Sequence, residues 1–136
     1  MPDKAFLDTN ILVYAFSEGD HRRETALDLL MSGGAIGIQS LNEFTNIATR
    51  KMKAPWPEVL LWLARIRKLC DPPIPLTITV HHRGIQIARS YGYHLYDSLL
   101  LAAAVEGSCT VFYSEDMQHG QTIGELTIRN PFARRR

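Results

Sequence analysis

Long apolar runs are missing from this sequence. The longest uninterrupted one, Leu99 to Val105, falls far short of the roughly 20 residues needed to cross a bilayer, which excludes a membrane-spanning helix. Cysteine is scarce as well: Cys70 and Cys109 are the only two, in separate segments and without metal-ligand spacing. That excludes a disulfide scaffold and a structural zinc centre, and reads as two thiols filling core space in a reducing compartment. A dominant charge sign is also absent, since the formal net charge is +1, so overall charge does not mark a polyanion binder. The opening residues carry no basic segment leading into an apolar stretch with a small-residue cleavage site, so the expected location is cytoplasmic. No internal repeat and no low-complexity segment interrupts the chain.

What is present suits one globular domain over residues 1–136. The 46% hydrophobic and 21% charged residues are ordinary for such a domain, and at 136 residues it buries roughly 68 to 70% of its unfolded surface. Basic residues collect at Arg22-Arg23, at Arg50-Lys51 with Lys53, from Arg65 to Lys68, from His81 to Arg83, and at Arg134-Arg135-Arg136. Most such groups are solvated helix faces, but a basic rim around an acidic pocket would suit a polyanionic substrate.

Short strands alternate with longer helices. Lys4 to Leu7 reads as a buried strand, followed by a helix with Ile11, Leu12, Ala15 and Phe16 on one face. Asp20 is a candidate N-cap for a helix from His21 to Met31, stopped by Gly33-Gly34. Ala35 to Ile38 reads as a second strand, and a helix follows from near Ser40 to about Met52, placing Glu43 in its first turn. Pro57 suits the first turn of the next helix, whose apolar face holds Val59, Leu60, Leu63, Ile66 and Leu69. Leu76 to Ile78 is a candidate third strand, and Val80 to Ser90 reads as a helix. A further helix, apolar nearly all round, runs from His94 or Leu95 to Glu106. Thr110 to Tyr113 is the clearest strand, and Leu126 to Ile128 a plausible edge strand. This alternation predicts an α/β fold with a parallel or mostly parallel sheet covered on both faces.

Four carboxylates stand out against that pattern. Asp8, Glu43, Asp97 and Asp116 each fall at a strand end or within about one turn of a helix start, and in a parallel α/β domain those junctions gather along one sheet edge. Each also has a plain structural explanation. Asp8 could cap a helix, Ser40 to Glu43 fits a capping box, Asp97 is favoured by a helix dipole and Asp116 sits in a turn. Their joint placement is what points to a shared pocket. Three or four carboxylates at close range raise one another's pKa and favour bound cations, and oxygen ligands without a Cys or His cluster select Mg²⁺ or Mn²⁺. Thr9, Asn10 and Ser114 are polar neighbours able to hold those carboxylates by hydrogen bonds. His94 and His119 are the histidines nearest to them in sequence.

With Leu7-Asp8-Thr9-Asn10 at the start, Glu43, Tyr96-Asp97-Ser98, and Ser114-Glu115-Asp116-Met117 near the end, the chain resembles the PIN-domain family and, within it, the VapC-type toxins. The resemblance covers almost the whole chain. It implies a three-layer α/β/α sandwich with a mostly parallel sheet and a metal-dependent endoribonuclease. It also implies a homodimer and a small cognate antitoxin protein as partner. By the same resemblance Asp8, Glu43, Asp97 and Asp116 match the acidic, metal-holding catalytic positions, and Thr9, Asn10 and Ser114 the supporting ones. Glu115 neighbours a matched acid but should point the other way on an extended segment. The runner-up is a non-catalytic PIN-like module that binds RNA or protein without cutting. A haloacid-dehalogenase-type phosphatase would want an acid where Asn10 stands, and a phosphoacceptor receiver would want a late lysine, whereas none follows Lys68. Trp56 and Trp62, with apolar residues of the first helices, could form a groove for an antitoxin segment, although aromatics at helical spacing are more often core.

Overall fold

The structure, a computed structural model, describes residues 4–132. The Arg134-Arg135-Arg136 cluster lies outside the described residues. In chain order the elements are β1 (Ala5–Leu7), α1 (Thr9–Ala15), α2 (Arg23–Met31), α3 (Ile38–Arg50), α4 (Trp56–Leu69), α5 (Ile78–Tyr91), α6 (Leu95–Glu106), β2 (Val111–Tyr113), β3 (Thr122–Ile123) and β4 (Leu126–Arg129).

The sheet runs in the order β1-β2-β4-β3, with β1, β2 and β4 parallel and β3 antiparallel to β4. Because successive strand side chains point to opposite faces, each short strand feeds two cores. Phe6, Phe112 and Ile128 pack on one side with α5 and α6 residues such as Val80, Ile87 and Leu100. Leu7 packs on the other side with Ile11, Leu30, Phe44 and Ile66 of α1 to α4. The two faces give the three-layer α/β/α sandwich. Phe6 and Phe112 stack across β1 and β2 with ring centroids 5.2 Å apart, joining the central strands. Helix α6 is buried from Ser98 to Ala104, as its unbroken apolar sequence requires. Both cysteines are buried free thiols.

Several elements differ from the sequence pattern. Ala35 to Ile38 forms no full strand: Ala35 makes an isolated parallel bridge to Phe6, Gly37 makes one to Ile74, and α3 starts at Ile38. The Ser40 hydroxyl accepts a 3.0 Å hydrogen bond from the Gly37 N–H and thereby opens the helix early. Glu43 consequently lies in the second turn of α3, not the first. Leu76 to Ile78 is not a strand either. The Thr77 hydroxyl accepts from the Val80 N–H at 3.1 Å, so a cap for α5 prevails over the β-branched composition. Asp20 does not cap α2, which begins at Arg23; its carboxylate accepts from the Arg22 backbone and guanidinium instead. Leu126 to Ile128 is a strand but not the edge, because the two-residue β3, which has no strong sequence pattern, pairs outside it. Among the described residues no helix is long and apolar enough to cross a membrane.

Candidate metal centre

Strand register places the first and last acid-bearing segments side by side. Leu7 pairs with Tyr113 at the carboxyl ends of β1 and β2, and the Asp8 N–H donates to the Tyr113 carbonyl at 3.0 Å. Asp8 and Ser114 therefore leave the sheet together. The Ser114 hydroxyl donates 2.7 Å to Asp8 Oδ2, while the Thr9 N–H donates 2.6 Å to Asp8 Oδ1. The Ser114 oxygen also accepts from the Asp116 N–H at 3.2 Å, fixing the turn that carries Asp116.

Glu43 arrives from α3, which packs on α1. Its Oε1 accepts from the Thr9 hydroxyl and its Oε2 from Gln39 Nε2, both at 3.0 Å. Asp97 arrives from the first turn of α6, started after Gly92, whose φ of 76° is the left-handed turn that ends α5. Asn10 Nδ2 donates 3.0 Å to Asp116 Oδ2. All four carboxylates, with Thr9 and Asn10, line one cavity of about 290 Å³ together with Val13, Tyr14, Ile47 and Lys51. A larger cavity of about 500 Å³ lies beside Lys4, Gly33 and Gly34, but its only carboxylate is Asp71. The smaller cavity is the one that concentrates titratable groups.

The electrostatics follow from that crowding. Burial, and then the nearby charges of Asp97 and Glu43, push the Asp8 carboxyl up to about 7 from its ordinary 3.8, against the lowering effect of the Ser114 and Thr9 hydrogen bonds. Burial also raises Glu43, with Gln39, Thr9 and His94 opposing. Burial raises Asp97, reinforced by Asp116 and opposed by His94. These acids are harder to ionise than isolated carboxyls, the condition a bound cation relieves.

The donors present fit such a cation. The four acids lining the cavity offer only oxygen atoms, and Asn10 Oδ1 is a buried acceptor without a hydrogen-bond partner, an atom that needs a donor or an ion. As the side chains are set, no three Asp, Glu, His or Cys groups among the described residues converge on a single point. Three of the acids are instead held by protein donors. Like-charged carboxylates keep apart without a counter-ion.

The remaining polar neighbours are engaged elsewhere. Glu115 accepts from Tyr14 and from Arg22, each at 2.6 Å, and Arg22 also lies 3.7 Å from the Tyr14 ring centroid. His119 Nδ1 accepts from the Asn130 N–H at 2.9 Å. His94 is the N-cap residue of α6, its ring against Tyr96 and its charge felt by Glu43 and Asp97. Trp62 packs partly buried against Phe16 and Phe44, whereas Trp56 is exposed. Sequence reasoning missed Tyr14 and Gln39, and marked Lys51 only as one member of a basic cluster. Gln39, Glu43, Ile47 and Lys51 recur every fourth residue, a spacing that puts them on one helix face and was the available signal.

A mostly parallel α/β/α sandwich with clustered carboxylates at the carboxyl edge of its central strands defines a class of acid-site α/β proteins. Within that class the chain belongs to the PIN-domain family, whose model matches residues 5–122. Among solved structures it resembles a toxin-antitoxin complex from Klebsiella pneumoniae, at 19% identity and a TM-score of 0.71, over 95% of this chain and 98% of the other. It also resembles VapC20 of Mycobacterium tuberculosis, a sarcin-ricin loop cleaving toxin, at 16% identity and 0.65, over 80% and 87%. A third is VapBC2 from Rickettsia felis bound to a promoter DNA fragment, at 18% identity and 0.67, over 93% and 97%. No curated protein matches the sequence.

Proposed function

We propose that residues 1–136 form one metal-dependent endoribonuclease domain, the toxin of a toxin-antitoxin pair, with Asp8, Glu43, Asp97 and Asp116 holding Mg²⁺ or Mn²⁺. The observation that carries this reading is the meeting of four carboxylates from four separate elements in one cavity. Membership of the PIN family and the toxins among the similar structures support it.

When bound, such cations supply an activated water and charge stabilisation for the leaving oxygen of a phosphodiester. The chain's own residues do the rest. Ser114 and the Thr9 N–H hold Asp8 in one orientation at the sheet edge. Thr9 and Gln39 aim Glu43, and Asn10 steadies Asp116 across the opening. The four carboxylates repel RNA until their charge is neutralised, so substrate binding and cleavage both depend on the ion. A homodimer in the cytoplasm, neutralised by an antitoxin encoded beside it, completes the proposal.

Purified protein incubated with defined transfer, ribosomal and messenger RNA tests it. Cleavage with Mn²⁺ and none in excess EDTA is expected, and undiminished cleavage in EDTA would refute metal dependence. The spacing of the carboxylates gives the non-catalytic RNA- or protein-binding alternative its one foothold. Binding of RNA with no cleavage at any Mn²⁺ concentration would favour it.

A further inference from the structure

We infer that Lys51 is a substrate-binding residue, its ammonium taking an RNA phosphate flanking the bond cut at the carboxylates. This rests on the ribonuclease reading.

Lys51 is the one cation among the residues lining the acidic cavity. It follows the last residue of α3 with helical backbone angles, φ −96° and ψ −47°. It lies eight positions after Glu43, about 12 Å along a helix axis, and falls on the same helix face, with Ile47 between them. Lys51 and Glu43 line the same cavity.

A lysine beside four carboxylates would ordinarily be read as their counter-charge. Among the described residues it makes no ion pair and no hydrogen bond with any of them; the ion pairs formed there involve His21, Arg22 and Arg83. Its charge is exposed and unspent. A helix-dipole role accounts for Arg50 in the last turn but does not explain a side chain on the cavity wall.

The turn behind Lys51 is fixed rather than loose. Lys53 holds a left-handed φ of 53°, unusual for a residue with a Cβ. The Met52 and Ala54 N–H groups donate back to Ile47 and Ala48 at 3.0 Å, tying that turn to α3. Non-glycine residues in this conformation persist where the surroundings enforce them, often at functional sites. The fixed turn keeps a basic segment beside an acidic mouth. A backbone of alternating phosphates fits that division: one phosphate at the ion-neutralised acids, the next at the ammonium.

The test measures binding of a labelled single-stranded RNA by fluorescence anisotropy across a salt series. Ca²⁺ replaces Mn²⁺, and wild type, Lys51→Gln, Lys51→Met and Lys51→Arg are compared. Both uncharged variants should bind about three- to fivefold more weakly. Their slopes of log affinity against log salt should be shallower by about 0.7, the loss of one single-strand phosphate contact. Lys51→Arg should restore the slope, and Mn²⁺ affinity, read by calorimetry, should stay near wild type. Wild-type affinity and slope in Lys51→Gln and Lys51→Met would overturn the assignment. So would weaker RNA binding fully matched by altered Mn²⁺ affinity, which would make Lys51 a charge balancer. If wild type binds RNA but never cleaves it, the nuclease reading fails while the salt slopes still decide Lys51.

Discussion

Ser114 and Asp8, 106 residues apart in sequence, are joined by a buried 2.7 Å hydrogen bond at the carboxyl ends of two paired parallel strands. The bond ties the two halves of the acidic cavity together. It also opposes the burial that raises the Asp8 carboxyl. Removing it should therefore weaken the site by two routes.

In Ser114→Ala, Asp8 loses its orienting donor and becomes still harder to ionise. Partners that orient metal-holding groups cost about 10- to 100-fold in affinity or activity when removed. The expected outcome is a drop of that size in Mn²⁺-dependent cleavage, with the acidic limb of the pH–rate profile displaced to higher pH. An unchanged profile would show that the bond does not tune the site.

Asp97→Asn and Asp8→Asn should each lose at least about 100-fold in cleavage rate, since groups touching the ion matter more than those supporting them. Circular dichroism should show both variants folded. Relief of carboxylate repulsion should leave them as stable as wild type or more so in the absence of metal. Full activity in both would remove these residues from the centre.

The raised Asp8 carboxyl makes stability depend on pH in metal-free protein. In the folded state its proton is held up to about pH 7, whereas the unfolded chain releases it near 3.8. The stabilising contribution is thus complete below the unfolded value and is lost as pH rises through about 7. With EDTA present, the Tm of wild type relative to Asp8→Asn should fall between those limits. Mn²⁺ should reverse the trend and raise Tm more at pH 7.5 than at pH 5, because protons compete for the same oxygens. Parallel Tm curves for the two proteins would contradict this linkage.

Behind Asp97 the packing of α5 on α6 depends on Gly84. A Cβ there would stand 2.7 Å from Leu99 Cδ2 and 3.5 Å from its Cα. Gly84→Leu should cost about 1 to 3 kcal/mol in chemical denaturation by overpacking. In Gly84→Ala, the gain of about 1 kcal/mol in helix propensity should largely offset the strain. Equal stability of Gly84→Leu and wild type would mean that the two helices separate freely.

The most regular stretches were readable in advance. Helix α6 follows from an unbroken run of leucine and alanine, and β2 from Val111-Phe112-Tyr113, because hydrophobic pattern and local propensity agree in both. Two of the misread segments are those where a cap competes with a strand. Thr77 and Ser40 each close a helix start through one hydroxyl, outweighing β-branched composition nearby. The four acids were visible as residues at element junctions, and the resemblance to the PIN family rested on them. Gln39 and Tyr14 were not, since nothing local distinguishes them from solvated helix positions, and Lys51 was visible only as one member of a basic cluster.

By itself the sequence determined most of the helices and the strands β1, β2 and β4, and with them which carboxylates fall near element ends, because periodicity and turn chemistry act over a few residues. Tertiary structure alone decided that Leu7 pairs with Tyr113, that Ser114 meets Asp8, and that Lys51 shares a cavity wall with Glu43. Those relations depend on strand register and on how α1, α3 and α6 pack. Burial on both sheet faces enforces that register, since a slip of one residue would exchange Phe6 for Leu7 between the two cores.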